Sequence, residues 1–184
     1  MASGPLEELL ARREIEDLVM RYSRGIDRLD AEAVRSCYHP DGTDEHTGFS
    51  GPRDEFVDWV MVAVRRFDGT MHLVCNHQSE VDGERAVAES YGLAYHWGTP
   101  REDIRRNFVS AFRYVDQLER RDGEWRIKAR QAVREWTRAL DPGAWIPPEG
   151  KAPEGSRDAD DPVYLAGARR FNRLAPPDSR NPSA

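Results

Sequence analysis

Apolar positions in the first third of the chain recur at helical spacing. Ile15, Leu18, Val19, Tyr22, Ile26 and Leu29 fall on one stripe and predict an amphipathic helix. Gly25 weakens its last turn. Asp30 is placed to cap a second, short helix over 31–38, which the turn-forming sequence "HPDG" stops. After Pro52, a residue that a first helical turn tolerates, Phe56, Trp59, Val60, Ala63 and Phe67 again keep helical spacing until "FDG". From about residue 72 the pattern changes to alternation with β-forming residues. "HLVCNHQSEV", "RAVAESYGLAYHW", "NFVSAFRYVDQLER" and "EWRIKARQAVREW" read as about four long strands. Asp82-Gly83 and Asp122-Gly123 supply hairpin turns. Helices in one run and strands in another predict an α+β fold, with three N-terminal helices on one face of a curved antiparallel sheet.

The pattern fades near Asp141. We place a domain over 1–140 and a proline-rich tail over 141–184, a poor core segment by composition. Trp145, Val163, Tyr164, Leu165 and Phe171 are apolar anchors along it, so it is expected to lie on a surface. Tyr164, Arg169 and Arg170 offer groups that could reach over a pocket.

The 184 residues suit one domain with room for a core and a pocket. The net charge of -6, without a basic block, argues against nucleic acid, which needs clustered Lys and Arg. No apolar run approaches the roughly 20 residues that span a bilayer. The acidic, amphipathic N-terminus does not read as a secretory signal. Cys37 and Cys75 lie in apolar contexts without metal or redox spacing. They are expected as buried free thiols, which implies a reducing, cytoplasmic compartment.

Candidate chemistry centres on Asp27 and His72. Asp30 and Asp41 have structural uses, as a cap and in a turn; Asp27 has none that the sequence shows. A buried Asp–His pair is a compact general base, the carboxylate orienting the imidazole and stabilising its protonated form. On spacing alone Asp27 reads as a solvated helix-end residue and His72 as a hydrogen-bonded strand residue. Tyr22 lies on the apolar stripe and reads as core. Arg130 alternates with Arg126 and Lys128, and would reach an inner pocket only through a bulge. Asn76 shares the strand parity of His72, whereas His77 has the opposite parity. His39, Asp41, Asp44 and His46 lack metal-ligand spacing and read as solvated turn residues. No cofactor motif is present, neither GxGxxG, P-loop, CxxC nor HExxH. The chemistry is therefore assigned to side chains, with no cofactor and no metal.

The element order, with "RYSRGIDRLDAEAVRSCYHPDG", "TMHLVCN" and "LERRDGEW", resembles the SnoaL-like branch of the nuclear transport factor 2-like superfamily over about residues 7 to 136. The resemblance implies a cone-shaped α+β barrel enclosing a pocket. It also implies a catalytic Asp–His dyad, matched by Asp27 and His72. Tyr22 and Arg130 match oxygen-binding groups of the dehydratase and dehydrochlorinase members. Asn76, Trp59, Tyr95 and His96 are expected to contact substrate, although "GLAYHWG" lacks the acid that the bile acid dehydratases carry near His96. The implied function is a cofactor-independent lyase for a hydrophobic, ring-containing small molecule, eliminating water or formaldehyde. The alternatives are an isomerase or polyketide cyclase, and a non-catalytic binding or assembly subunit. Relatives of this kind form homo-oligomers; a trimer is expected.

Overall fold

The computed structural model describes residues 4–142, 155–158 and 161–165. The chain divides into two units, 1–147 and 148–184. In the first, three helices precede and interrupt a six-stranded sheet: α1 (Pro5–Asp27), α2 (Ala31–Ser36), β1 (Tyr38–His46), β2 (Phe49–Pro52), α3 (Arg53–Arg65), β3 (Gly69–Asp82), β4 (Arg85–Trp97), β5 (Phe108–Arg121) and β6 (Glu124–Ala139). In the second, Asp161 accepts hydrogen bonds from the backbone of Ser156 and Val163 at the start of the short α4 (Pro162–Leu165). Trp145, Arg169, Arg170 and Phe171 lie outside the described residues, as do the side chains of Tyr164 and Leu165.

Each helix follows from its stripe. Ile15, Leu18, Val19, Tyr22 and Ile26 of α1 are buried against the sheet. Asp30 caps α2 by accepting a hydrogen bond from the Ala33 amide at 2.9 Å. Gly25 has a packing reason that composition hides: a Cβ there would meet the Val34 side chain at 2.8 Å, so glycine lets α2 fold back on α1. Phe56, Val57, Val60, Met61 and Val64 bury the inner face of α3.

The strands run β2-β1-β6-β5-β4-β3. Two corrections to the sequence reading follow. The sheet is mixed, because β1 pairs parallel to β6. The "HPDG" run, expected as a turn, lies within β1 and is bent by a register shift between Tyr38 and Thr43. The long strands form an antiparallel meander with two-residue loops at Gly83-Glu84 and Asp122-Gly123. Asp122 and Gly123 both have positive φ, the backbone a tight hairpin of this kind requires.

Three β-bulges decide which side chains face the helices. In β3, Val74 pairs with Gly92 and His77 with Ser90, so β3 carries one extra residue there. In β6, an extra residue falls at Lys128 opposite Gln117 and Leu118, and another at Glu135 opposite Ala111 and Phe112. Because side chains alternate with period two, each bulge reverses the parity beyond it.

Candidate active site

Asp27 ends α1, where that helix crosses the start of β3. Its carboxylate gathers three donors. Oδ1 contacts His72 Nδ1 at 2.7 Å and accepts from Thr70 Oγ1 at 3.0 Å. Oδ2 accepts from the His72 amide at 2.8 Å. The two amide and hydroxyl bonds fix the carboxylate; the carboxylate then fixes the imidazole and leaves Nε2 as the nitrogen free to exchange a proton. The side chains of Asp27 and His72 are 19% and 9% exposed, so the pair is largely shielded from solvent.

The surroundings of His72 are aromatic. Its ring lies 6.0 Å from both Phe112 and His96. His96 stacks on Phe108 at 4.4 Å and meets Phe67 edge-on at 4.8 Å. His96 lies on the inner face of β4 with Ala94 and Gly92, in the same aromatic cluster as His72. Tyr95 has the opposite parity, opposite Met71 and Val109 on neighbouring strands, which corrects its placement beside His96. Asn76 is corrected too. The β3 bulge breaks the parity it would share with His72, leaving Asn76 exposed and turning His77 inward to Ser90 Oγ, at 2.8 Å. Cys37 is buried, and burial pushes its thiol up to about 11; Cys75, expected buried, is exposed.

Arg130 is the bulged case. The extra residue at Lys128 turns it inward, where both of its sides are occupied. Nε and Nη2 donate to the two carboxylate oxygens of Asp116 at 2.7 Å each, and the guanidinium lies over the rings of Tyr114 and Tyr22, at 3.9 and 4.1 Å. Arg130 and Asp116 are wholly buried, and Arg130 Nη1 has no hydrogen-bond partner among the described residues. Burial alone would lower the Arg130 pKa; Asp116 and the phenols overcome this and hold it well above its usual value. Tyr22 stacks on Phe56 and meets Tyr38 and Tyr114 edge-on, and burial raises its phenol well above the usual range. Tyr22 and Arg130 thus form a buried polar-aromatic layer, with Tyr114 and Phe112, 4.4 Å apart, linking that layer to the dyad.

A family model for the SnoaL-like domain matches residues 7–131. The chain belongs to the SnoaL-like domain family. No curated protein matches this SnoaL-like chain. Among solved structures it is similar to a hexachlorocyclohexane dehydrochlorinase from Novosphingobium barchaimii, at 21% identity and a TM-score of 0.68, covering 79% of this chain and 100% of that one. It is also similar to a putative scytalone dehydratase from Novosphingobium aromaticivorans, at 24% identity and a TM-score of 0.63, covering 76% and 97%. A protein of unknown function from Mycobacterium tuberculosis matches at 24% identity and a TM-score of 0.63, covering 91% and 95%. These likenesses establish the nuclear transport factor 2-like fold.

Other residues escaped the sequence reading. Thr70 carried a signal, standing two positions before His72 and so on the same strand face. Asp116 alternates with Tyr114 and Leu118 and could have been placed inward. Asp44 and His46 were misread. They belong to β1, not to a solvated turn; Asp44 is completely buried, accepts from Tyr38 Oη at 2.5 Å and is bonded to His46 Nδ1. His39 is likewise buried, with Nε2 2.9 Å from the Glu119 carbonyl. Trp59 is half-buried, close to His46 and to Phe49. Among the described residues no three metal-binding side chains converge, and no helix is long and apolar enough to cross a membrane.

Proposed function

We propose that this SnoaL-like protein is a cofactor-independent lyase for a hydrophobic, ring-containing small molecule, with Asp27–His72 as its general base. The observation that carries the reading is the 2.7 Å Asp27–His72 contact beneath the aromatic wall of Phe67, His96, Phe108 and Phe112. His72 Nε2 takes a proton from carbon, the released electron pair becomes the double bond, and hydroxide leaves with a proton as water. From a diaryl propanediol the proton comes instead from the terminal hydroxyl. The bond to that carbinol carbon breaks, its electrons form the double bond, and formaldehyde departs with the benzylic hydroxyl as water. Asp27 stabilises the imidazolium formed in either case. The dehydrochlorinase and the dehydratase among the structural neighbours support an elimination of this kind. Incubation with steroids, polyketides and lignin dimers, followed by mass detection, tests it. A product lighter by water, or by formaldehyde and water, is expected, and neither should appear with His72→Gln. A product of unchanged mass with a shifted double bond would identify an isomerase instead.

A further inference from the structure

The interior holds a second Asp–His pair that the proposed base does not use. Asp44 has no exposed surface, yet it is a carboxylate. Such a group is costly to bury unless it is compensated. Its two oxygens are bonded to Tyr38 Oη and His46 Nδ1. The carboxylate anchors the His46 ring through Nδ1 and leaves its Nε2 edge for a further partner. The His46 side chain is 20% exposed, stacked on Phe56 at 5.0 Å and tilted against Trp59 and Tyr114 at 6.4 and 6.1 Å. Tyr114 touches Phe112, and Phe112 touches His72. The two histidines thus flank one aromatic surface on β5. Their strands, β1 and β3, are separated by β6, β5 and β4, so the pairs face the same interior from different walls of the sheet.

We infer that the Asp44–His46 pair is a second proton-transfer site, donating from His46 Nε2 to the departing oxygen of the substrate. This rests on the lyase reading and extends it. Elimination of hydroxide needs a base at one end and an acid at the other, since unprotonated hydroxide is a poor leaving group. One pair receives the proton taken from the substrate; the other returns one to oxygen. No redox partner is required, and water exchanges the proton between turnovers. The substrate class is accordingly a ring compound whose leaving hydroxyl stands apart from its acidic hydrogen. The groups facing the pair are Tyr38 on its own strand, Tyr22 from α1, Tyr114 from β5 and Arg130 from β6, while α3 presents Phe56 and Trp59.

The leaving group supplies the test. The aldol of benzaldehyde with acetone loses water, whereas its β-chloro analogue loses chloride, which needs no proton. His46→Gln should lower loss of water about 100-fold or more and leave loss of chloride near wild type. His72→Gln should lower both. In parallel, the aldol is titrated into protein with isotope-labelled histidine, and the resonances of His46 and His72, assigned through the two variants, are both expected to move. Equal loss for both leaving groups, no loss for either, or movement of His72 alone would reduce the second pair to a structural one while the lyase reading stands. Movement of neither resonance, or unchanged turnover in His72→Gln, would overturn the base and the acid together.

Discussion

In the proposed lyase, Asp27 acts through a few bonds, and each can be removed separately. Asp27→Asn keeps the shape but presents an amide to Nδ1, disturbing the tautomer and removing the charge that stabilises the imidazolium. Turnover should fall by about 100- to 10,000-fold with little change in thermal stability. Thr70→Val removes one of the donors that hold the carboxylate, and a smaller fall is expected. Arg130 tests a different energy. It and Asp116 are both wholly buried, so replacing Asp116 by Ala leaves an uncompensated buried cation and should destabilise the fold by about 3–5 kcal/mol. A denaturant titration measures it; a change of under about 1 kcal/mol would mean that the layer is wetter than the structure shows.

The bulges are where elements set function. Without the extra residue at Lys128, Arg130 would share the outward face with Arg126, as strict alternation predicts. The β3 bulge does the same for His77, whose burial lowers its pKa below the ordinary value. The sign follows: the unfolded chain binds the proton more readily, so stability is lost as pH falls through about 6.5 and below. His77→Gln should flatten that part of a melting-temperature profile against pH. Gly92 marks the same bulge from the partner strand. A Cβ there would lie 2.3 Å from the Phe112 ring and 2.9 Å from the Leu73 carbonyl. Gly92→Ala should therefore displace Phe112 from the dyad wall and cost about 1–3 kcal/mol, with activity falling more than stability alone accounts for.

At the scale of the whole molecule, the outer sheet face is unusually apolar. Met71, Leu73, Val87, Tyr91 and Trp136 are exposed on it, a larger apolar set than scattered surface residues require. We propose that it mediates self-association, with a trimer as the expected species. Light scattering on wild type and on a Leu73→Glu, Trp136→Glu variant checks this; a wild-type monomer would remove the proposal. Activity should also survive a chelator, since the proton transfers are assigned to side chains; loss with EDTA, restored by one divalent ion, would contradict that assignment.

Sequence periodicity determined the helices, the hairpins and the α+β class, because each is encoded in neighbours a few residues apart. It also marked Asp27 as a carboxylate without a local task. It could not bring Asp27 to His72, since that contact depends on where α1 crosses β3. It misplaced Asn76, left Arg130 outward unless a bulge turned it, and read Asp44 and His46 as solvated; Tyr95, beside His96 on a strand with no bulge of its own, could have been set aside by parity alone. Parity along a strand holds only until a bulge reverses it, and a bulge reflects the pairing of two strands. A buried carboxylate such as Asp44 looks solvated in sequence, because its compensation comes through tertiary packing: Tyr38 and His46, on the same bent strand, both bond to it, and α1, α3 and β5 pack around them. The local alphabet therefore specified the parts; the register of the folded sheet decided which side chains meet.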